Sequence, residues 1–104
     1  MDAQIKKGLL DVCVLAALMQ DDSYGYRIIR DVSPCVEISE STLYPILKRL
    51  EAAGCLSTRC VVHSGRLRKY YHLTPLGRAR IREFYREWDE MVQIHDFIVR
   101  KGEA

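Results

Sequence analysis

Lys48, Arg49, Arg66, Arg68 and Lys69 fall close together along the chain, with Ser39, Ser41, Thr42, Tyr44 and Tyr70 interleaved. Ammonium, guanidinium and hydroxyl groups are the donors that take up phosphate oxygens. The charge distribution agrees. Residues 1–38 carry four basic and six acidic side chains, residues 39–80 eight and two, and residues 81–104 four and six. The net charge is only +2, so a nearly neutral chain has a basic middle suited to a polyanion. A solvated basic face is the plainer reading of charge alone.

Other chemistries find less support. Cys13, Cys35, Cys55 and Cys60 form no C-x-x-C pair, and Cys13 lies in an apolar run as a small core residue would. Cys55, Cys60 and His63 lack a standard zinc spacing, so no metal or other cofactor is expected. Glu83 and Glu87 are four apart, but Arg82 and Arg86 beside them suggest a salt-bridged helix face. There is no nucleophile–base pair and no phosphate-cradling glycine loop, so no enzyme is expected.

These groups need elements to position them. With 104 residues, 48% apolar, one compact domain with a genuine core is expected. Ile5 to Gln20 predicts a first helix, apolar on nearly every face. Lys6 and Lys7 ahead of "GLLDVCVLAALM" resemble the start of a signal peptide. However, Asp11 breaks the run, no small-residue cleavage site follows, and the run is too short to span a bilayer. No disulfide framework is needed at this length, so a reducing cytoplasm is expected. "DDS" offers N-caps for a second helix, "YGYRIIRDVS", with Tyr24, Ile28 and Val32 inward and Pro34 ending it.

The third helix is "SESTLYPILKRLEAAG". Ser39 or Ser41 caps it, Leu43, Ile46, Leu47 and Leu50 form its buried face, and Gly54 closes it. Ser41, Tyr44, Lys48 and Arg49 lie on the other face. Pro45 falls in the first turn or two, where a lost hydrogen bond costs least. Two β-rich runs then flank Ser64-Gly65, a tight-hairpin signal that places His63 opposite Arg66 and Val62 opposite Leu67. Thr74 caps a last helix with Pro75 at its first position. Ile81, Phe84, Trp88, Met91, His95 and Ile98 follow a 3-4-3-4-3 spacing, widened by Tyr85, Val92 and Val99. A single small domain cannot bury that seam alone, so a homodimer is expected, with the first helix against the seam.

Three helices, a basic hairpin and a long helix predict an α+β, mostly α fold. It is a winged helix-turn-helix over residues 1–73, with a C-terminal dimerisation helix over 74–104 in one compact unit. The third helix would enter a DNA major groove, while the hairpin follows the phosphates. Ser39, Ser41, Thr42, Tyr44, Pro45, Lys48, Arg49, Arg66, Arg68, Lys69 and Tyr70 are the candidate DNA-binding residues.

"STLYPILKRLEAAGCL" followed by "GRLRKYYHLTPLG" resembles the PadR family of bacterial transcriptional regulators. The matching positions are Thr42, Leu43, Tyr44, Pro45, Leu47, Arg49, Leu50, Glu51 and Gly54, then Arg66, Lys69, Tyr70, Tyr71, Leu73, Thr74 and Gly77. "YGYRI" at Tyr24 to Ile28 fits as well. Ser41 departs from the pattern, since many members have glycine there. The resemblance implies a dimeric regulator, usually a repressor, of the compact subfamily with one long dimerising helix. The symmetry of such a dimer implies a roughly palindromic operator on double-stranded DNA. By position, Trp88 is similar to a tryptophan lining a drug-binding pore between subunits in multidrug-binding members. This implies a small hydrophobic or aromatic effector; the plain alternative is a dimer-core aromatic. The interface candidates are Leu9, Ile81, Phe84, Tyr85, Trp88, Met91, Val92, His95 and Ile98. His95 could sense pH or simply be satisfied within the interface. Two other functions fit the pattern: a small-molecule or metal sensor with secondary DNA affinity, and a winged-helix protein-interaction module.

Overall fold

The computed structural model describes residues 1–103. The order is α1 (Ala3–Ala16), α2 (Gly25–Val32), α3 (Glu40–Ala52), β1 (Leu56–His63), β2 (Arg66–Leu73) and α4 (Pro75–Glu103). This is the expected winged helix-turn-helix: three short helices, a two-stranded antiparallel hairpin and a long final helix.

The Asp2 carboxylate starts α1 by accepting from the Gln4 and Ile5 amides at 2.9 and 3.4 Å, satisfying donors that helix geometry leaves open. The helix therefore begins before the predicted Ile5, and it ends at Ala16 rather than Gln20. Leu10, Val14, Leu15 and Leu18 enter the core beside Ile28, Leu43, Leu47 and Leu56.

α2 corrects the predicted cap. Tyr24 is its N-cap and makes no side-chain capping bond. Ile28 and Val32 are buried as expected, but Tyr24 is only half-buried. Ser23 is instead fully buried, and its backbone exchanges two hydrogen bonds with Tyr71 of β2 at 3.1 and 2.7 Å.

α3 follows the predicted pattern. Ser39 caps it, its Oγ accepting from the Thr42 amide at 3.3 Å, and Leu43, Ile46, Leu47 and Leu50 are buried. Pro45 sits in the second turn, where it withholds the donor that would have reached the Ser41 carbonyl. At the other end Gly54 adopts φ +82°. Its amide donates to the Glu51 carbonyl at 3.0 Å and the Cys55 amide donates to Leu50 at 2.9 Å. This paired closure needs a left-handed residue.

The hairpin has the predicted register, with His63 opposite Arg66 and Val62 opposite Leu67. Ser64 and Gly65 both take positive φ, 51° and 78°, the turn whose twist matches the flanking strands.

α4 is welded to the domain at its base. The Thr74 hydroxyl donates to the Gly54 carbonyl at 2.6 Å and accepts from the Gly77 amide at 3.1 Å. The Thr74 amide donates to Cys55 O at 3.2 Å, and Arg78 Nη2 donates to Met19 O at 3.0 Å. A Cβ on Gly77 would lie 2.3 Å from the Cys55 carbonyl oxygen, so only glycine lets the helix approach this backbone. Ile81 then enters the core. Beyond it α4 projects, and the chain measures 65 × 26 × 21 Å.

Candidate nucleic-acid interface

A cleft of about 690 Å³ runs between the start of α2, α3 and the hairpin. Tyr24, Gly25, Tyr26 and Tyr44 line one side, and His63, Arg66, Arg68 and Lys69 the other. Its chemistry is the one that the sequence suggests: hydroxyls facing cations.

The α3 N-terminus supplies a compact set of hydroxyls. Ser39 Oγ lies 3.0 Å from Ser41 Oγ and donates to Thr42 Oγ1 at 3.1 Å. All three residues are exposed, at the helix end whose dipole favours anions. Tyr44 follows, about half exposed, on top of Gly25: a Cβ there would lie 2.5 Å from the Tyr44 hydroxyl oxygen. Glycine at the start of α2 thus leaves room for the Tyr44 hydroxyl and ring edge. Tyr71 lines the same cleft. Its phenol is held above its ordinary pKa by burial, and then by the nearby Tyr44 and Glu51.

The predicted cations divide by partner. Lys48 and Arg66 are exposed. Arg49 instead turns toward α1, where its guanidinium pairs with Asp11 at 2.5 Å. Lys69 Nζ lies 3.9 Å from Glu51 and 5.6 Å from the Tyr71 ring centre. Arg68 is half-buried, its guanidinium 4.0 Å from the Tyr24 ring centre. Tyr70 packs edge-on against Tyr24, with ring centres 5.6 Å apart, and Arg59 stacks over it at 5.2 Å. Cation–π packing of this kind orients a guanidinium while leaving its charge intact.

Three further residues at the site escape sequence reasoning. Asp22, expected to cap α2, instead joins both strands: Oδ1 meets His72 Nδ1 at 2.7 Å, and Oδ2 accepts from Arg59 Nη1. The hydrogen bond from His72 holds its carboxyl below the ordinary value, outweighing the opposing effect of desolvation, and the hydrogen bond from Arg59 adds to it. Lys6 and Lys7 share a groove with Ser41, Thr42, Pro45 and Arg49. That neighbourhood depends on how α1 crosses α3, which spacing along either helix does not encode.

The α4 seam is mostly bare. Tyr85, Trp88, Met91, Val92, His95 and Ile98 are exposed, and Leu9 and Phe84 are half-buried. Ile81, expected on the seam, lies in the subunit's own core at 2% exposure rather than on the bare face. Phe84, Tyr85, Trp88 and Asp89 line a depression of about 360 Å³. Glu87 has Arg80 as its ion-pair partner, at 3.9 Å, rather than Arg82 or Arg86. Among the described residues, Cys55, Cys60 and His63 do not gather into a cluster able to hold a metal, and no helix is long and apolar enough to cross a membrane.

Comparison with known proteins places this geometry. The profile of the transcriptional regulator PadR-like family matches residues 14–83. The chain is 45% identical over 70 residues to the transcriptional regulator Rv3488 of Mycobacterium tuberculosis, covering 67% of this chain and 56% of that one. It superposes on the X-ray structure of a PadR-like transcription factor from Bacteroides fragilis with a TM-score of 0.82. Identity there is 33%, over 92% of this chain and 95% of the other. The crystal structure of Bacillus subtilis PadR in complex with operator DNA shares the fold, with a TM-score of 0.70 at 23% identity. That match covers 74% of this chain and 46% of that one.

Proposed function

The chain belongs to the PadR-like family of transcriptional regulators, and on that premise we propose that it is a homodimeric repressor of a palindromic operator. Residues 1–73 form the DNA-binding unit and residues 74–104, of which Ala104 lies outside the described residues, the dimerisation segment. The observation that carries this reading is the cleft between α3 and the wing, with hydroxyls on one wall and Arg66, Arg68 and Lys69 on the other. Ser39, Ser41 and Thr42 reach base edges at the N-terminal end of α3. Tyr44, Lys48 and the wing cations hold phosphates, with Lys6 and Lys7 extending that contact past α3. Pro45 stiffens the turn that presents the hydroxyls. Arg49 and Tyr70 act from behind, through Asp11 and Tyr24. Catalysis has no part in this reading, and the working compartment is the cytoplasm.

The bare face of α4 supports the dimer, because Trp88, Met91 and Ile98 are 51%, 43% and 61% exposed in one chain. A contiguous apolar face of this kind marks an interaction surface. The depression at Phe84, Tyr85, Trp88 and Asp89 supports a small aromatic effector that releases DNA.

The test is duplex binding across salt. If the dimer neutralises roughly six to ten phosphates, affinity drops by about a thousandfold or more between 50 and 200 mM salt. Selection from genomic fragments should return half-sites about one helical turn apart. A flat salt response would sink the assignment. Quenching of Trp88 fluorescence by planar aromatic cations tests the effector site.

A further inference from the structure

We propose that Asp22 is a positioning residue for DNA binding: it sets the angle of the β1–β2 wing against the helix-turn-helix, and so places Arg66 against the phosphates. This rests on the functional reading above and deepens it.

The argument begins with how the wing is attached. Ser23 and Tyr71 exchange two backbone hydrogen bonds. One such pair fixes a point of contact but leaves rotation about itself, so it is a pivot rather than a brace. Asp22 lies next to that pivot, and its carboxylate reaches both strands at once, Arg59 on β1 and His72 on β2. In the register Arg59 opposes Tyr70 and His72 opposes Ser57. The two partners are therefore diagonal neighbours on one face of the hairpin base. Two bonds diverging from one carboxylate to separate strands resist rotation as a single bond cannot.

The carboxylate is itself anchored. Arg27 of α2 donates to the Asp22 carbonyl oxygen at 2.7 Å and, through Nε, to Ser23 Oγ at 3.1 Å. The opposite face of the hairpin base is held by Glu51 of α3, which accepts from Thr58 at 2.9 Å and lies 3.9 Å from Lys69. The base is thus gripped from both sides by carboxylates belonging to the helix-turn-helix. Losing Asp22 leaves the Glu51 side intact, so the wing stays attached but tilts. Arg66 opposes His63 near the tip and lies five residues along β2 from the pivot at Tyr71, about 17 Å away at strand rise. A tilt of about 10° moves it by roughly 3 Å, more than a hydrogen bond tolerates.

Charge makes the claim sharp. Asp22 is an acidic group in a basic region, with Arg59, His72 and Arg27 facing it and Asp21 beside it. On charge alone, its removal should tighten binding to a polyanion. The clasp predicts the reverse. Asp22→Ala should weaken binding to a mixed-sequence duplex of about 30 base pairs roughly tenfold at 50 mM salt, and lower the salt slope by about one per wing. In an Arg66→Ala background, the same substitution should cost less than about twofold, because the group it positions is gone. Asp22→Asn keeps the shape without the charge, stands in if the alanine variant does not fold, and should fall between. Thermal unfolding confirms that each variant is folded at the assay temperature. Unchanged or tighter binding overturns the proposal, as does equal weakening in both backgrounds, which would mean that Asp22 acts through the fold as a whole. If the wild-type chain shows no salt-sensitive duplex binding, the functional reading fails instead; the proposal by itself fails only while that binding is intact.

Discussion

Gly25→Ala should weaken DNA binding while leaving the domain folded, although Gly25 itself offers no group to DNA. An added Cβ would lie 2.5 Å from the Tyr44 hydroxyl oxygen and 3.0 and 3.1 Å from two of its ring carbons. Ordinary contact needs about 3.5 Å, so the hydroxyl must retreat by about 1 Å. The backbone has no quarrel with alanine, because Gly25 is not among the residues of positive φ. Alanine also favours helix by up to about 1 kcal/mol, which offsets part of the crowding, so net stability should change by no more than about 1 kcal/mol. A phosphate hydrogen bond from Tyr44, by contrast, does not survive such a shift. Its loss costs about 1 kcal/mol per subunit, or about thirtyfold in affinity for a dimer. Fluorescence anisotropy on operator and scrambled duplexes would measure it. Tyr44→Phe should lose the same amount on both DNAs, and adding Gly25→Ala to it should cost less than about twofold more. Wild-type affinity for Gly25→Ala, or losses that simply add, would refute the steric route through Tyr44.

Gly77→Ala should be far more damaging to the fold, because its Cβ meets the Cys55 carbonyl at 2.3 Å and Leu73 Cδ1 at 2.5 Å. Overpacking costs about 1–3 kcal/mol, and with backbone in the way a fall in Tm of about 10 °C or more is expected by calorimetry. Trp88→Ala combined with Met91→Ala should raise the dimer dissociation constant about a hundredfold, as read by sedimentation; a wild-type chain that is monomeric at micromolar concentration would refute the dimer. Asp22 contributes to acid stability with a definite sign. Its folded pKa is depressed, so its stabilisation is full above the ordinary carboxyl value near about 4 and disappears as pH falls through the lower folded value. The gap in urea stability between wild type and Asp22→Asn should therefore close below about pH 4; a constant gap would refute the linkage.

Much of this was legible wherever local signals and tertiary packing agree. The α3 face of Leu43, Ile46, Leu47 and Leu50, the Gly54 closure, the Ser64-Gly65 turn and its register all follow from residue types a few positions apart. What escaped was decided by crossings between elements. Asp22 looks like a cap because Asp commonly caps helices, yet β1 and β2, far along the chain, offer it a guanidinium and an imidazole. The Asp11 partner of Arg49 is supplied by α1, which no spacing along α3 announces. Ile81 fits the heptad, but it lies close enough to the weld at Gly77 to be drawn into the subunit's own core.

That weld separates two properties that a regulator must inherit together. Thr74, Gly77 and Ile81 fix the direction in which α4 leaves the domain, and the exposed turns beyond them project along it. If the projecting turns form the proposed interface, exchanging their side chains would alter what it binds while leaving the orientation of α3 relative to its own α4 unchanged. On the proposed reading, then, one stretch of the helix orients each DNA-binding unit and another meets whatever the exposed face binds.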